Sequence, residues 1–200
     1  MKKIIFLIAV VVFAFWVLAV SVVRTVAIEG QSASQNYKIT VPTATQSVQK
    51  QEIDYFLAYP GILPDHFLYP VKMIRDRIRL WLTVEPLKKA ELMLLFADKR
   101  LGAGKVLIEG NKVDLGISTL SKAEKYLQRS LTQIETIQKK DEKTRLFWEK
   151  LTTAAAKHEE ILVSLKEKVG DSAKPALEES LNLVRQIQVQ IKQALSLIHI

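Results

Sequence analysis

Leu87, Leu94, Leu101 and Ile108 recur every seven residues, and Ala90, Ala97 and Gly104 follow the first three of them at a constant offset. A repeat of this period is satisfied in water by an α-helix whose apolar stripe is buried against other helices. Large side chains fill the contact, and small ones let a neighbouring backbone come close. The pattern predicts a helix from Pro86 to about Glu109, opened by its proline and stopped at Gly110-Asn111. The same period continues downstream. Leu120, Ala123, Leu127, Ser130, Ile134 and Ile137 mark a helix from about Asp114 to Gln138. Phe147, Leu151, Ala154, Ile161 and Leu165 mark another from Lys143 to Val169, with Asp141 as the cap that separates the two. After the stop at Gly170 and a restart at Asp171 or Ser172, with Pro175 in the first turn, a last helix carries Leu177, Val184, Ile187, Ile191 and Ala194. Four helices of similar length with short links predict an all-α antiparallel bundle.

The segment before the bundle cannot be a regular helix. Pro60, Pro64 and Pro70 fix their own φ angles and restrict the residues before them. Pro60-Gly61 predicts a turn, and Pro64-Asp65 a turn or a helix N-cap. Tyr59, Ile62, Leu63, Phe67, Leu68 and Tyr69 are expected to lie across the bundle and cap one end of its core, because a large exposed apolar patch is a liability. Lys72 to Leu82 reads as a short amphipathic helix, with Ile74, Ile78, Trp81 and Leu82 on one face and Arg75 and Arg79 on another. The same reasoning assigns Ile78 and Trp81 to the core and leaves the arginines in solvent. In the competing arrangement Lys72, Arg75, Arg79 and Trp81 meet a membrane surface or a partner.

Ile4 to Val23 contains no charged residue, and a helix of that length spans the hydrocarbon of a bilayer. Lys2 and Lys3 precede it and Arg24 alone follows, which favours a cytoplasmic N-terminus. Residues 1–24 therefore read as a signal anchor, with a cleaved signal peptide ending near Ala19-Val20-Ser21 as the minority alternative, 25–54 as a polar tether, and 55–200 as an extracytoplasmic helical domain. The expected location is the cell membrane, crossed once.

Composition removes several chemistries. Cysteine is absent, which excludes disulfides, thiolate metal sites and cysteine nucleophiles. The net charge is +8, but half of the surplus lies in residues 1–50, where Lys2, Lys3, Arg24, Lys38 and Lys50 face only Glu29. The remainder mixes both signs, so no nucleic-acid partner is expected. Leu101 to Leu107, LGAGKVL, lacks the first glycine and the closing Ser or Thr of a phosphate loop and belongs to the helical seam. Of His66, His158 and His199, none has the helical spacing of a zinc or di-iron site. His158 falls beside the seam of its helix; a pH-sensitive contact with Glu91 or Glu135 is the functional alternative to a plain packing role. No catalytic, metal or cofactor constellation is found, and the chain is not expected to be an enzyme.

LPDHFLYPVKMIRDRIRLWLT, EPLKKAELMLLFADKRL and EGNKVDLGISTLSKAEKYL together resemble a bacterial family catalogued as the domain of unknown function fifty-six sixty-seven. The shared features are Leu63-Pro64-Asp65, the basic helix Lys72 to Leu82, Lys89-Ala90-Glu91-Leu92 and Arg100-Leu101. His66-Phe67 departs from the family's small polar residue and proline after the aspartate. The resemblance implies a membrane-anchored or extracytoplasmic helical protein and no known activity. The expectation is a non-catalytic binding or scaffolding protein of the bacterial envelope, held to the bilayer by its N-terminal helix. Its partner would be an envelope protein, or a second copy of itself through the Leu/Ala seam.

Overall fold

The computed structural model describes residues 53–137 and 141–198. The expected membrane span Ile4–Val23 and nearly all of the tether lie outside them. Five helices follow in order: α1 Tyr69–Leu82, α2 Pro86–Glu109, α3 Val113–Glu135, α4 Glu142–Lys168 and α5 Lys174–Ile198. Among the described residues there is no strand, and no helix is long and apolar enough to cross a membrane.

The helix ends follow local chemistry. Asp141 accepts from the Thr144 backbone N–H at 2.9 Å and its hydroxyl at 2.8 Å, closing the N-terminus of α4 as a side-chain cap does. At the end of α2 the left-handed position is taken by Asn111, at φ 62°, and the Lys112 N–H returns to Leu107 O at 2.8 Å. Asparagine is among the few residues that tolerate this conformation.

Cross-helix contacts fix the topology. Ser130 Oγ donates to Ala90 O at 2.8 Å, and Gly116 faces Gly104 at the other end, so α2 and α3 run antiparallel. Arg185 reaches Glu159 and Gln188 reaches Ala155 O, so α4 and α5 are antiparallel too. His158 meets Asp98 and Lys168 meets Glu109, which sets α4 parallel to α2. Helix α2 packs on α3 and α4, while α5 packs on those same two and does not touch α2. Around the bundle the order is therefore α2, α3, α5, α4. The helices alternate in direction along the chain, yet α3 and α4 stand diagonally.

The predicted seams form the core. Leu94, Leu101, Leu120, Leu127, Leu151, Leu165, Leu177 and Ile187 are buried, and Trp148 fills space beside them. Gly104 and Gly116 bring α2 and α3 into close contact. A Cβ on Gly116 would stand 2.5 Å from Ile108 Cγ1 and 3.0 Å from Gly104 O.

Two expectations fail at the entrance. Tyr59 and Phe67 are largely exposed, and Ile62 and Leu68 are not buried, so these residues do not cap the core. The lead-in instead runs along α2, where small residues leave room: Pro60 and Ala58 O lie over Gly102. Tyr55 and Leu57 are the lead-in side chains that pack on the core. Pro64-Asp65 forms a turn, not the N-cap of α1, which starts at Tyr69 with Pro70 in its first turn. Asp65 instead ion-pairs with Lys112 in the α2–α3 link. The second failure is α1 itself. Ile78 and Trp81 are exposed, not core.

Candidate binding face and buried polar centre

Helix α1 lies on the bundle with its polarity reversed. At about 100° per residue, Val71, Ile74, Ile78, Trp81 and Leu82 share one face, opposite Tyr69, Met73, Asp76 and Leu80. The apolar face points away from the bundle: Val71 is 57% exposed, Ile74 61% and Trp81 80%, whereas Asp76 is 4% exposed. The inward face is held by polar contacts. Met73 Sδ accepts from Arg100 Nη2 at 3.4 Å. Lys72 donates to Pro60 O at 2.6 Å and Ile62 O at 2.8 Å, so it clamps the lead-in and does not reach outward as expected. Arg75 covers the Asp76 carboxylate at 2.9 Å. Arg77 and Arg79 are exposed on the two sides of the apolar stripe.

Beneath α1 sits a buried cation. Arg100 is 5% exposed, stacks over the Tyr126 ring at 4.2 Å and donates to Phe96 O at 3.0 Å, while its Nε has no hydrogen-bond partner. A guanidinium is weakly hydrated and stacks well, which makes it the cation best suited to such a site.

The second site is the centre of the bundle. His158, on α4, is fully buried, and both ring nitrogens are occupied. Nδ1 lies 2.9 Å from Glu124 Oε2 on α3, and Nε2 lies 3.2 Å from Asp98 Oδ1 on α2. Tyr55 then donates its hydroxyl to Asp98 Oδ2 at 2.7 Å, tying the lead-in to the same network. Burial alone would lower the imidazolium pKa; the Glu124 charge and the hydrogen bonds to both carboxylates outweigh it and push it up to about 9. Burial and the adjacent Asp98 charge raise the Tyr55 pKa, so its hydroxyl stays a donor. The imidazolium bridges two carboxylates and offsets one of their two charges within the core. The groove along the lead-in, about 570 Å³ and lined by Tyr55, Lys105, Lys157 and Glu160 among others, does not include the imidazole.

A sequence profile described as Domain of unknown function (DUF5667) matches residues 61–172, more than half of the chain. The chain belongs to this family. No curated protein and no solved structure matches it. The DUF5667 segment contains α1 to α4, hence the reversed helix and the three residues Asp98, Glu124 and His158. Tyr55 and α5, which completes the core through Leu177, Leu181 and Val184, lie outside the matched residues.

Neither reading of His158 holds in full: the ring is fully buried, and the alternative contact is made with other acids than Glu91 or Glu135. Glu91 and Glu135 are exposed, and Glu124 and Asp98 take their place. One signal pointed to His158: Leu151, His158 and Leu165 share a seven-residue row, so a histidine there needs a buried acid. The same kind of row places Glu124 between Ile117 and Leu131 and Arg100 between Met93 and Leu107, whereas none marks Asp76 or Asp98. Among the described residues no cluster of acids and histidines could hold a metal ion. Of the residues assigned to the lead-in, Pro60, Pro64 and Asp65 precede α1, with Lys72 bonded to the Pro60 carbonyl, whereas Tyr69 and Pro70 form the first turn of α1.

Proposed function

We propose that this chain is a non-catalytic binding module of the bacterial envelope, anchored by Ile4–Val23 with residues 55–200 outside, and that α1 is its binding element. One observation carries the reading: α1 turns its apolar face away from the core that would otherwise bury it. A contiguous exposed stripe of this kind marks an interaction site in a folded protein. The anchored arrangement is supported by the uncharged length of Ile4–Val23 and its lysine flank.

The cysteine-free chain gives a direct test. Ile78→Cys and Glu179→Cys are expressed separately and treated on intact cells with a membrane-impermeant maleimide. The reading expects Glu179→Cys to be labelled and Ile78→Cys to be protected by whatever covers α1. Equal labelling of both would show an unoccupied face, and labelling of neither until the cells are opened would place the domain inside.

A further inference from the structure

We propose that the occupant of the α1 face is the surface of the bilayer that carries the anchor, specifically an anionic phospholipid headgroup layer. This rests on the binding-module reading above and names its partner. The argument begins with the rim of the stripe. Val71, Ile74, Ile78, Trp81 and Leu82 form an outward apolar face, and Arg77 on one side and Arg79 on the other border it. A helix lying in a membrane interface needs an apolar face that enters the acyl boundary, a tryptophan at headgroup depth and cations along its flanks that reach phosphates. All three are present on one helix of fourteen residues.

The acids that could oppose such a surface are already engaged. Asp76 is buried under Arg75, Asp65 pairs with Lys112, and Glu85 pairs with Lys88. Among the described residues neither Arg77 nor Arg79 makes an ion pair, and both are exposed. A second copy is a poorer occupant, because a two-fold contact through this stripe would set one arginine rim against another. Covalent reach also favours the bilayer. Residues 24–52 can extend no further than about 100 Å, so a chain whose Ile4–Val23 run spans a membrane keeps α1 close to that membrane's surface.

The bundle presents the helix in a fixed sense. Lys72 is held by two lead-in carbonyls and Met73 by Arg100, so rolling α1 over to bury its apolar face would break these contacts. The apolar face is thus displayed before any membrane contact, and docking requires no refolding of the helix.

The test uses the full chain reconstituted in nanodiscs, with an environment-sensitive fluorophore on Ile78→Cys or, as control, on Glu179→Cys. Helix α5, which carries Glu179, does not touch α1 or α2. The expectation is a blue-shifted, lipid-quenchable signal at position 78 in phosphatidylglycerol-containing discs, weakened in pure phosphatidylcholine, with position 179 in water in both. An arginine near an anionic surface changes partitioning by roughly fivefold, so Arg77→Gln/Arg79→Gln is expected to lower the docked ratio by roughly 25-fold. Ile74→Ser, on the exposed face, should release the helix without unfolding the bundle. A signal indifferent to lipid charge and to these variants overturns the proposal. So does protection that depends on chain density with 78-to-78 crosslinks, which would mean a second copy. Protection of position 78 in cells but not in discs would keep the binding module and replace the bilayer with a protein partner.

Discussion

His158→Gln removes the one cation between two buried carboxylates, and its effect on stability can be worked out with sign and size. In the folded chain the imidazolium pKa is about 9, against an ordinary value of 6.5. A group whose pKa is raised by folding contributes stability that is fully present below its unfolded value and is lost as pH climbs through the folded one. At about 1.4 kcal/mol per pH unit, the interval from 6.5 to about 9 corresponds to about 3 kcal/mol. For a domain of this size that is a fall in Tm of roughly 6–12 °C. The purified chain in mild detergent should show this fall between pH 6 and pH 9.5 in thermal unfolding followed by circular dichroism. His158→Gln should start lower at pH 6, by roughly 3–5 kcal/mol, because Glu124 and Asp98 are left facing each other without a counter-ion. It should then lose the dependence between pH 6.5 and 9. If the variant keeps the wild-type slope, or if wild type is flat across this window, His158 is not an imidazolium at pH 6 and the reading of the core is wrong.

Three further outcomes test the packing. Gly116→Ala places a methyl group against Ile108 and the Gly104 carbonyl, and should cost roughly 1–3 kcal/mol in thermal melts. Asp141→Ala deletes the cap of α4 and should cost about 1 kcal/mol, seen also as faster amide exchange at Thr144. Ile78→Ser should leave stability within about 0.5 kcal/mol of wild type, while Leu127→Ala should cost roughly 2–5 kcal/mol. A large loss from Ile78→Ser would mean that α1 turns its other face outward.

The long helices were legible because burial imposes a period. Leu94, Leu101, Leu120, Leu127, Leu151 and Leu165 had to face inward, and the breaks at Asn111 and Gly170 carry residues that end helices. The direction in which α1 faces was not legible. Periodicity identifies which side of a helix is apolar but not what lies against it, and here Met73 meets Arg100 of the bundle, Lys72 holds the lead-in, and Asp76 is buried on that same side. The partners of His158 were hidden for a related reason. Of Glu91, Glu124 and Glu135, Glu124 alone has apolar residues seven positions away on both sides, Ile117 and Leu131, and that row was overlooked. Axial level and helix face decide which acid a histidine on α4 reaches: Glu124 points into the core, whereas Glu91 and Glu135 face solvent. Gly116 also passed unnoticed, since its significance depends on Gly104 standing opposite. The family resemblance located the domain and offered no guide to either site.

The antiparallel pair α2–α3 has a consequence for how the chain reaches its final state. Its contacts are local, the kind that form early and, during synthesis, form first. Yet this hairpin carries Asp98 and Glu124, whose shared cation arrives only with α4. An early hairpin therefore has two carboxylates on surfaces that cannot dehydrate until residue 158 docks. Closure of the core is thereby made conditional on the later half of the chain. In the native contacts, the cation that the first two long helices lack is delivered by α4.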